Sequence, residues 1–453
     1  MIAPRSRSRS RPTVTALALA LALLTPTAHG APTSQPTSKP TTNTTNTDDD
    51  DDTERARRGL IGRLLFGKGG APSTQQQPAR GGKSWLGPSL VRRGIFDRPY
   101  LTRVGQAVAI GGYIDMLGAY QREQGIDSFG FEARRFNIFV SSAIADFIRL
   151  TSELEFEHGT EEIALETALV DIRFHHVINL RAGVLLVPLG RFNVAHDSPI
   201  YDLVDRPLVS TRIIPATFSE IGVGLFGFLY PGRHTLTYEA YLVNGLGAGL
   251  LSADGTRISA GRSPERFAFD ENSSPAVTGR IGWSSPFGLD LGVSMYAGVY
   301  NKLSEGGERV ASRHVITILA LDYELRWRRL TIRGEAALAL IDVPPTLAPE
   351  FAEVQWGFYS EAVVKLLQRP VLVFPKLGLF AVARVDFVDL NVGTQEQSDR
   401  ALGEETTRLS LGISLRPAPP TSLRLVYYHE WSTDALGNRA RAGAIQLGLA
   451  SYF

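Results

Sequence analysis

Residues Phe147 to Glu157 read FIRLTSELEFE. Ile148, Leu150, Leu154 and Phe156, with Ser152 among them, fall on one face at period two, and Arg149, Thr151, Glu153, Glu155 and Glu157 fall on the other. Strict alternation over about ten residues, with one apolar face and one charged face, suits a strand between lipid and a wet lumen. The pattern recurs at Thr407 to Arg416, where Leu409, Leu411, Ile413 and Leu415 oppose Arg408, Ser410, Gly412, Ser414 and Arg416. It recurs again where Leu423, Leu425, Tyr427 and Trp431 alternate with Arg424, Val426, Tyr428 and Glu430.

A soluble sandwich also alternates, so the number and rhythm of such segments decide the reading. About sixteen strands can be placed between residues 107 and 453. Tight turns at Ala143 to Asp146, His176-Val177, Pro231 to His234, Ser285 to Phe287 and Arg328-Arg329 separate longer connectors. Those are Pro188 to Ser219, Gly247 to Pro275, Lys302 to Arg313, Val343 to Glu353 and Asn391 to Glu405; residues 121–129 and 367–374 are also read as connectors. Short turns on one side, long loops on the other and an even strand number are the asymmetry of an outer-membrane barrel. Open edges in hydrocarbon would strand backbone groups, so the expected fold is an all-β, transmembrane antiparallel barrel closed on itself. Phe174, Trp283 and Trp327 at the turn ends, and Tyr120, Phe156, Trp356 and Trp431 at the loop ends, fit two interfacial girdles.

The two ends agree. Arg5, Arg7, Arg9 and Arg11 precede the apolar run Val14 to Leu24, and Ala28-His29-Gly30 offers a cleavage site, so residues 1–30 read as a signal peptide. Residues 31–105 are expected to be a disordered periplasmic leader: Thr, Pro, Asn and the run Asp48 to Asp52 cannot bury enough apolar surface to offset ordering entropy. Arg55 to Phe66 could form a short basic amphipathic helix there. Residues 106–453 form the barrel. Its last strand, Ala444 to Phe453, ends on a terminal Phe that resembles the insertion signal of outer-membrane barrels, with Ser451 where an aromatic or aliphatic residue is usual. A formal charge of +1 gives no basic surplus for nucleic acid, and the absence of cysteine removes disulfides and thiolate metal sites.

Pro188 to Ser219, PLGRFNVAHDSPIYDLVDRPLVSTRIIPATFS, breaks the alternation with four prolines and some thirty residues. A segment of this length without its own strand pattern inside a barrel is expected to be functional. The sequence LRAGVLLVPLGRFNVAHDSPIYDLVDRPLVSTRIIPATFSEIGVGLFG, followed by YEAYLVNGL, resembles the phosphate-selective porin O and P family over roughly residues 100 to 453. The resemblance implies sixteen strands, a homotrimer in outer-membrane lipid, and a third external loop folded inward as a constriction. Pro188 to Ser219 follows the fifth strand and so takes that place.

The candidate constriction residues are Arg191, His196, Asp197, Asp202, Asp205, Arg206 and Arg212. Candidate lumen-lining residues are Arg149, Glu153, Glu155, Arg173, Arg181, Arg333, Glu335, Arg384 and Arg408, with Asp171, Asp322 and Glu324 beside them. Charged rings set selectivity in pores, and here neither sign dominates; the chain has only six lysines, against the lysine-rich linings of the family. The expectation is a water-filled channel for passive diffusion of small hydrophilic solutes and ions, with an anion or phosphate preference to be tested. The alternative is a barrel enzyme or a structural anchor without transport, prompted by His196-Asp197-Ser198. Sequence neighbours rarely meet nucleophile–base geometry, so no catalytic residue is assigned.

No metal or cofactor is expected: the eight histidines lack ligand spacing, and His175-His176 should point apart from a turn. Gly222 to Gly227 matches the dinucleotide pattern but is followed by a Pro-Gly turn and another strand, where a crowded wall explains the glycines.

Overall fold

The computed structural model describes residues 102–104 and 108–453, except 263–265, 269, 271, 306–307, 310, 348–349, 396–399 and 402–403. The expected signal peptide and nearly all of the leader lie outside the described residues.

Sixteen strands form the wall: β1 (Val108–Glu123), β2 (Ile126–Ala145), β3 (Ile148–Glu157), β4 (Glu162–Arg173), β5 (Asn179–Leu186), β6 (Ser219–Leu229), β7 (Thr235–Val243) and β8 (Ala276–Ser284). They continue as β9 (Leu289–Val299), β10 (Val315–Trp327), β11 (Leu330–Ile341), β12 (Val354–Val371), β13 (Phe374–Asp389), β14 (Glu405–Ala418), β15 (Thr421–Thr433) and β16 (Arg439–Tyr452). Each is antiparallel to its sequence neighbour, and β16 closes the cylinder on β1 with Tyr452 opposite Tyr113. Every wall strand therefore has two partners, as a hydrocarbon surrounding requires. Thr102–Val104 adds a short strand beside the start of β1.

Burial along the strands is inverted relative to a soluble protein. Leu409, Leu411, Ile413, Leu425, Ile445 and Leu447 are exposed on the outer face, while Asp115, Asn137, Glu153, Asp386 and Arg424 are buried inside. Phe174 and Trp327 at the turn end, and Tyr120, Trp356 and Trp431 at the loop end, are among the exposed outer residues. The terminal Phe453 is also exposed and stacks on Phe136 at 5.7 Å.

Two expected connectors are hairpins instead. Residues 121–129 carry β1 and β2 onward to a turn at Gln124-Gly125, both at positive φ, with Arg122 and Asp127 paired across it at 2.6 Å. A two-residue turn with φ > 0 at both positions matches the twist of a hairpin, so polar residues here pair as strand rather than loop. Residues 367–374 likewise pair, and β12 and β13 meet around Leu372-Val373. The His175 and His176 rings do not point apart: their centroids lie 3.9 Å from each other, because the turn is irregular rather than extended. Gly222 and Gly224 lie within β6, where a Cβ would stand 2.3 and 2.0 Å from β7 carbonyl oxygens, so close strand approach accounts for them.

The loop end is not an open mouth. The connector between β5 and β6, here loop 3, turns into the barrel, and the β7–β8 connector, loop 4, packs on it. Val187, Leu189, Leu208, Val209, Ile213, Ile214 and Phe218 of loop 3 join Leu246, Leu250 and Ile258 of loop 4 in one apolar core. The wall meets that core with Tyr241, Tyr296, Ile316, Ile318 and Ala339. Loop 4 is tied onward: Arg262 donates to the Ala216 carbonyl at 2.9 Å, Gln355 to the Thr256 carbonyl at 2.9 Å, and Arg257 pairs with Glu404 at 2.5 Å.

Candidate functional site

Loop 3 is held by backbone and side-chain bonds to strands on many sides of the barrel. Its entry is a sharp reversal at Gly190, whose φ of 70° suits glycine. There the Glu335 carboxylate of β11 accepts from the Arg191 and Phe192 backbone N–H groups at 2.7 and 2.9 Å, and from the Ser210 hydroxyl at 2.9 Å. One buried carboxylate thus grips both the outgoing and the returning limb. Ser294 of β9 accepts from the Gly190 N–H at 2.8 Å, and the Arg191 guanidinium pairs with Glu324 of β10 at 2.9 Å. Asn193 joins the limbs from within, donating to the Val187 and Phe218 carbonyls and accepting from the Phe218 N–H.

The tip reaches the opposite wall. His196 Nε2 lies 3.1 Å from Glu166 of β4, and its Nδ1 lies 3.0 Å from the Asn193 carbonyl. Asp197 accepts from the Tyr452 hydroxyl of β16 at 2.9 Å, and Ser198 donates to Asp115 of β1 at 2.7 Å. Arg424 of β15 donates to the Leu203 carbonyl and pairs with Asp115; Arg416 of β14 pairs with Asp202 at 2.8 Å and donates to the Pro199 carbonyl at 2.7 Å. Asp205 takes Arg134 of β2 at 2.8 Å and Gln446 of β16 at 2.9 Å. On the way back Arg384 of β13 donates to the Asp205 carbonyl at 2.9 Å, Asp386 accepts from the Leu208 N–H at 3.0 Å, and Arg212 donates to Thr406 at 2.7 Å. Tyr201, donating to the Ala195 carbonyl, lies under the Arg333 guanidinium at 4.7 Å.

These contacts fix the charge state of the loop. Burial pushes the Asp202 and Asp205 carboxyls up, but Arg416 and Arg333 around the first, and Arg134 and Arg408 around the second, outweigh it. Both stay below the ordinary carboxylate range, hence ionised. Arg212 is shifted down, by burial first and then by the facing Arg408 and Arg257.

The inward residues named from the sequence fall into two groups. Arg181 forks onto Asp171 at 2.7 and 2.8 Å, Arg333 pairs with Glu361, Arg384 with Asp386 at 2.8 Å, and Glu153 takes Asn137 at 2.8 Å; all are buried. Arg135 joins Glu155 at 3.2 Å, and Arg149 stands opposite Asp171 in register. Arg149, Arg173, Arg206, Arg212 and Arg408 keep partial exposure. Arg408 pairs with Glu430 at 2.6 Å and approaches Asp205 at 3.7 Å, close to the loop tip. Arg206 differs: its Nε and one terminal nitrogen are buried with no hydrogen-bond partner among the described residues.

The sequence reading missed that loop 3 packs on an apolar wall. A signal was present. In β10, Val315, Leu319 and Leu321 face outward while Ile316, Ile318 and Ala320 face inward, so the loop half of that strand is apolar on both faces. Two apolar faces in one wall strand mean that something dry lies inside. His196, Asp197 and Ser198 do not form a catalytic row, because Ser198 turns to Asp115 and His196 to Glu166.

No family model matches the sequence. An "Uncharacterized protein" of Aquifex aeolicus (strain VF5) is 27% identical over 368 residues, 76% of this chain and 80% of that one. Among solved structures, an anion-selective porin from Comamonas acidovorans superposes with a TM-score of 0.51 at 11% identity, over 77% of this chain and 100% of the porin. The outer-membrane channel DcaP of Acinetobacter baumannii gives 0.50 at 12% identity, over 78% and 99%. The fold is that of the outer-membrane porins. The finer likeness to phosphate-selective porins rests on the sequence motif alone.

Proposed function

We propose that this chain is an outer-membrane channel for passive diffusion of small hydrophilic solutes and ions, with loop 3 as its constriction and a weak preference for anions. The observation that carries the reading is a closed barrel whose third loop is pinned inside by charged residues from the wall. The anion preference follows from which charges remain uncommitted. Asp202 and Asp205 are paired with Arg416 and Arg134, whereas Arg206 on the same loop keeps two donors without a hydrogen-bond partner among the described residues. Charges already neutralised by a partner add little to the field along a pore, and unneutralised ones set its sign. A homotrimer in the bacterial outer membrane, the leader in the periplasm and phosphate as one anion among others complete the proposal, on the strength of the sequence resemblance.

The test is conductance of the refolded mature chain in a planar bilayer. Stable current steps are expected, with a reversal potential shifted modestly towards anions under a potassium chloride gradient. Arg206→Glu should remove that shift. A folded barrel that never conducts would refute the channel, and a native reversal potential without anion bias would refute the preference alone.

A further inference from the structure

We infer that the base of the loop 3 tip is a binding site for a divalent transition-metal cation of the Zn²⁺ or Mn²⁺ kind, liganded by Glu153, Glu166, His196 and Asp197. The ligand atoms of Glu153, His196 and Asp197 all lie within 4.8 Å of one another, and all three residues are buried. Glu166 brings a fourth group, 3.1 Å from His196 Nε2.

Hydrogen bonding sets the histidine tautomer. A carbonyl oxygen can only accept, so the 3.0 Å contact with Asn193 places the proton on Nδ1. Nε2 is thereby left facing the Glu166 carboxylate at 3.1 Å, where it either donates a second proton or offers its lone pair to a metal ion that displaces that proton. A histidine whose second nitrogen donates to a backbone carbonyl is the usual arrangement of a metal ligand. The carboxylates are similarly supported, Glu153 by Asn137 at 2.8 Å and Asp197 by Tyr452 at 2.9 Å.

A second observation points to the same occupant. Glu166 is 2% exposed, and its Oε1 has no hydrogen-bond donor among the described residues. A buried, unsatisfied carboxylate oxygen is costly unless something positive reaches it. Ligands about 2.1 Å from a shared ion stand roughly 3 to 4 Å apart. The 3.1 Å spacing of His196 and Glu166 fits. One imidazole with three carboxylates suits Zn²⁺ or Mn²⁺, whereas an imidazole ligand disfavours Ca²⁺. The bound ion would cross-link β3, β4 and the loop tip, fixing the constriction to one wall.

The experiment uses the full mature chain, refolded in detergent and stripped of metal. Zn²⁺ is titrated against a chromophoric chelator, Mn²⁺ binding is followed by electron paramagnetic resonance, and loop 3 amide exchange is measured with and without ion. One ion per chain is expected, with slower exchange across residues 193–198. Glu153→Gln should weaken binding at least tenfold, and His196→Ala more. Heat-modifiable migration on gels confirms that each variant is a folded barrel; the near-isosteric Glu153→Gln carries the test where His196→Ala fails to fold. Absence of stoichiometric binding, or equal affinity in a folded Glu153→Gln chain, would overturn the site, and unchanged loop exchange would overturn the cross-link. Both readouts are independent of whether the barrel conducts.

Discussion

Removing the Glu335 carboxylate should unseat loop 3 without breaking the wall. In Glu335→Ala the Arg191 and Phe192 N–H groups lose their acceptor in a buried position, and Ser210 loses the bond that ties the returning limb. A buried donor left without a partner costs about 1–3 kcal/mol. Two such donors, partly relieved by entering water, give about 3 kcal/mol. That is a change of roughly 150-fold in the ratio of seated to unseated loop. Hydrogen exchange on the refolded barrel reads this directly, as a comparable acceleration at residues 191–192, with β11 and its neighbours unchanged. Glu335→Gln, which keeps one oxygen able to accept from both backbone N–H groups, should show a smaller effect than Glu335→Ala. A folded Glu335→Ala barrel with residues 191–192 exchanging within threefold of the native rate would refute the clamp.

Gly190→Ala should weaken the same junction, since its φ is 70° and a Cβ would stand 2.6 Å from the Glu335 carboxylate; faster exchange at residues 190–193 checks it. The Asp202 and Asp205 carboxyls are held below their unfolded values, so their contribution is present above the ordinary carboxylate range and is lost as pH falls through the folded values. The protection of the loop 3 tip, taken as exchange relative to the intrinsic amide rate at each pH, should therefore lose the contribution of these two carboxylates only below about pH 4. Leu425→Arg, on the exposed outer face of β15, should destabilise the barrel in liposomes by about 2–4 kcal/mol in reversible denaturant unfolding if it lies near the midplane. An effect below about 0.5 kcal/mol would contradict a lipid-facing position.

The wall was legible because lipid and lumen impose a two-residue period that few other settings sustain for so long. Leu409, Leu411 and Ile413 face outward as their spacing demands, and Arg408, Ser410 and Ser414 face inward. Position on the inner face did not reveal what each residue touches there. Glu335 reads as a pore-lining charge, yet it is a clamp for backbone donors that no sequence pattern marks. His196 and Glu166 lie 30 residues apart in the chain and meet only because loop 3 folds back towards β4. The hairpin ends at residues 121–129 and 367–374 were hidden for a different reason: their strands continue where the apolar-polar alternation gives out, leaving pairing without pattern.

The bonds of the loop 3 tip also impose an order of assembly. Its entry is gripped by β9, β10 and β11, but Asp197, Asp202 and Asp205 are held by Tyr452, Arg416 and Gln446, partners 214 to 255 residues further along the chain. Those three bonds can form only once β14 and β16 are in place, so the seat of the tip is completed no earlier than the wall itself. A chain truncated before Arg416 would lack all three of these anchors, leaving its loop tip without the far half of its seat.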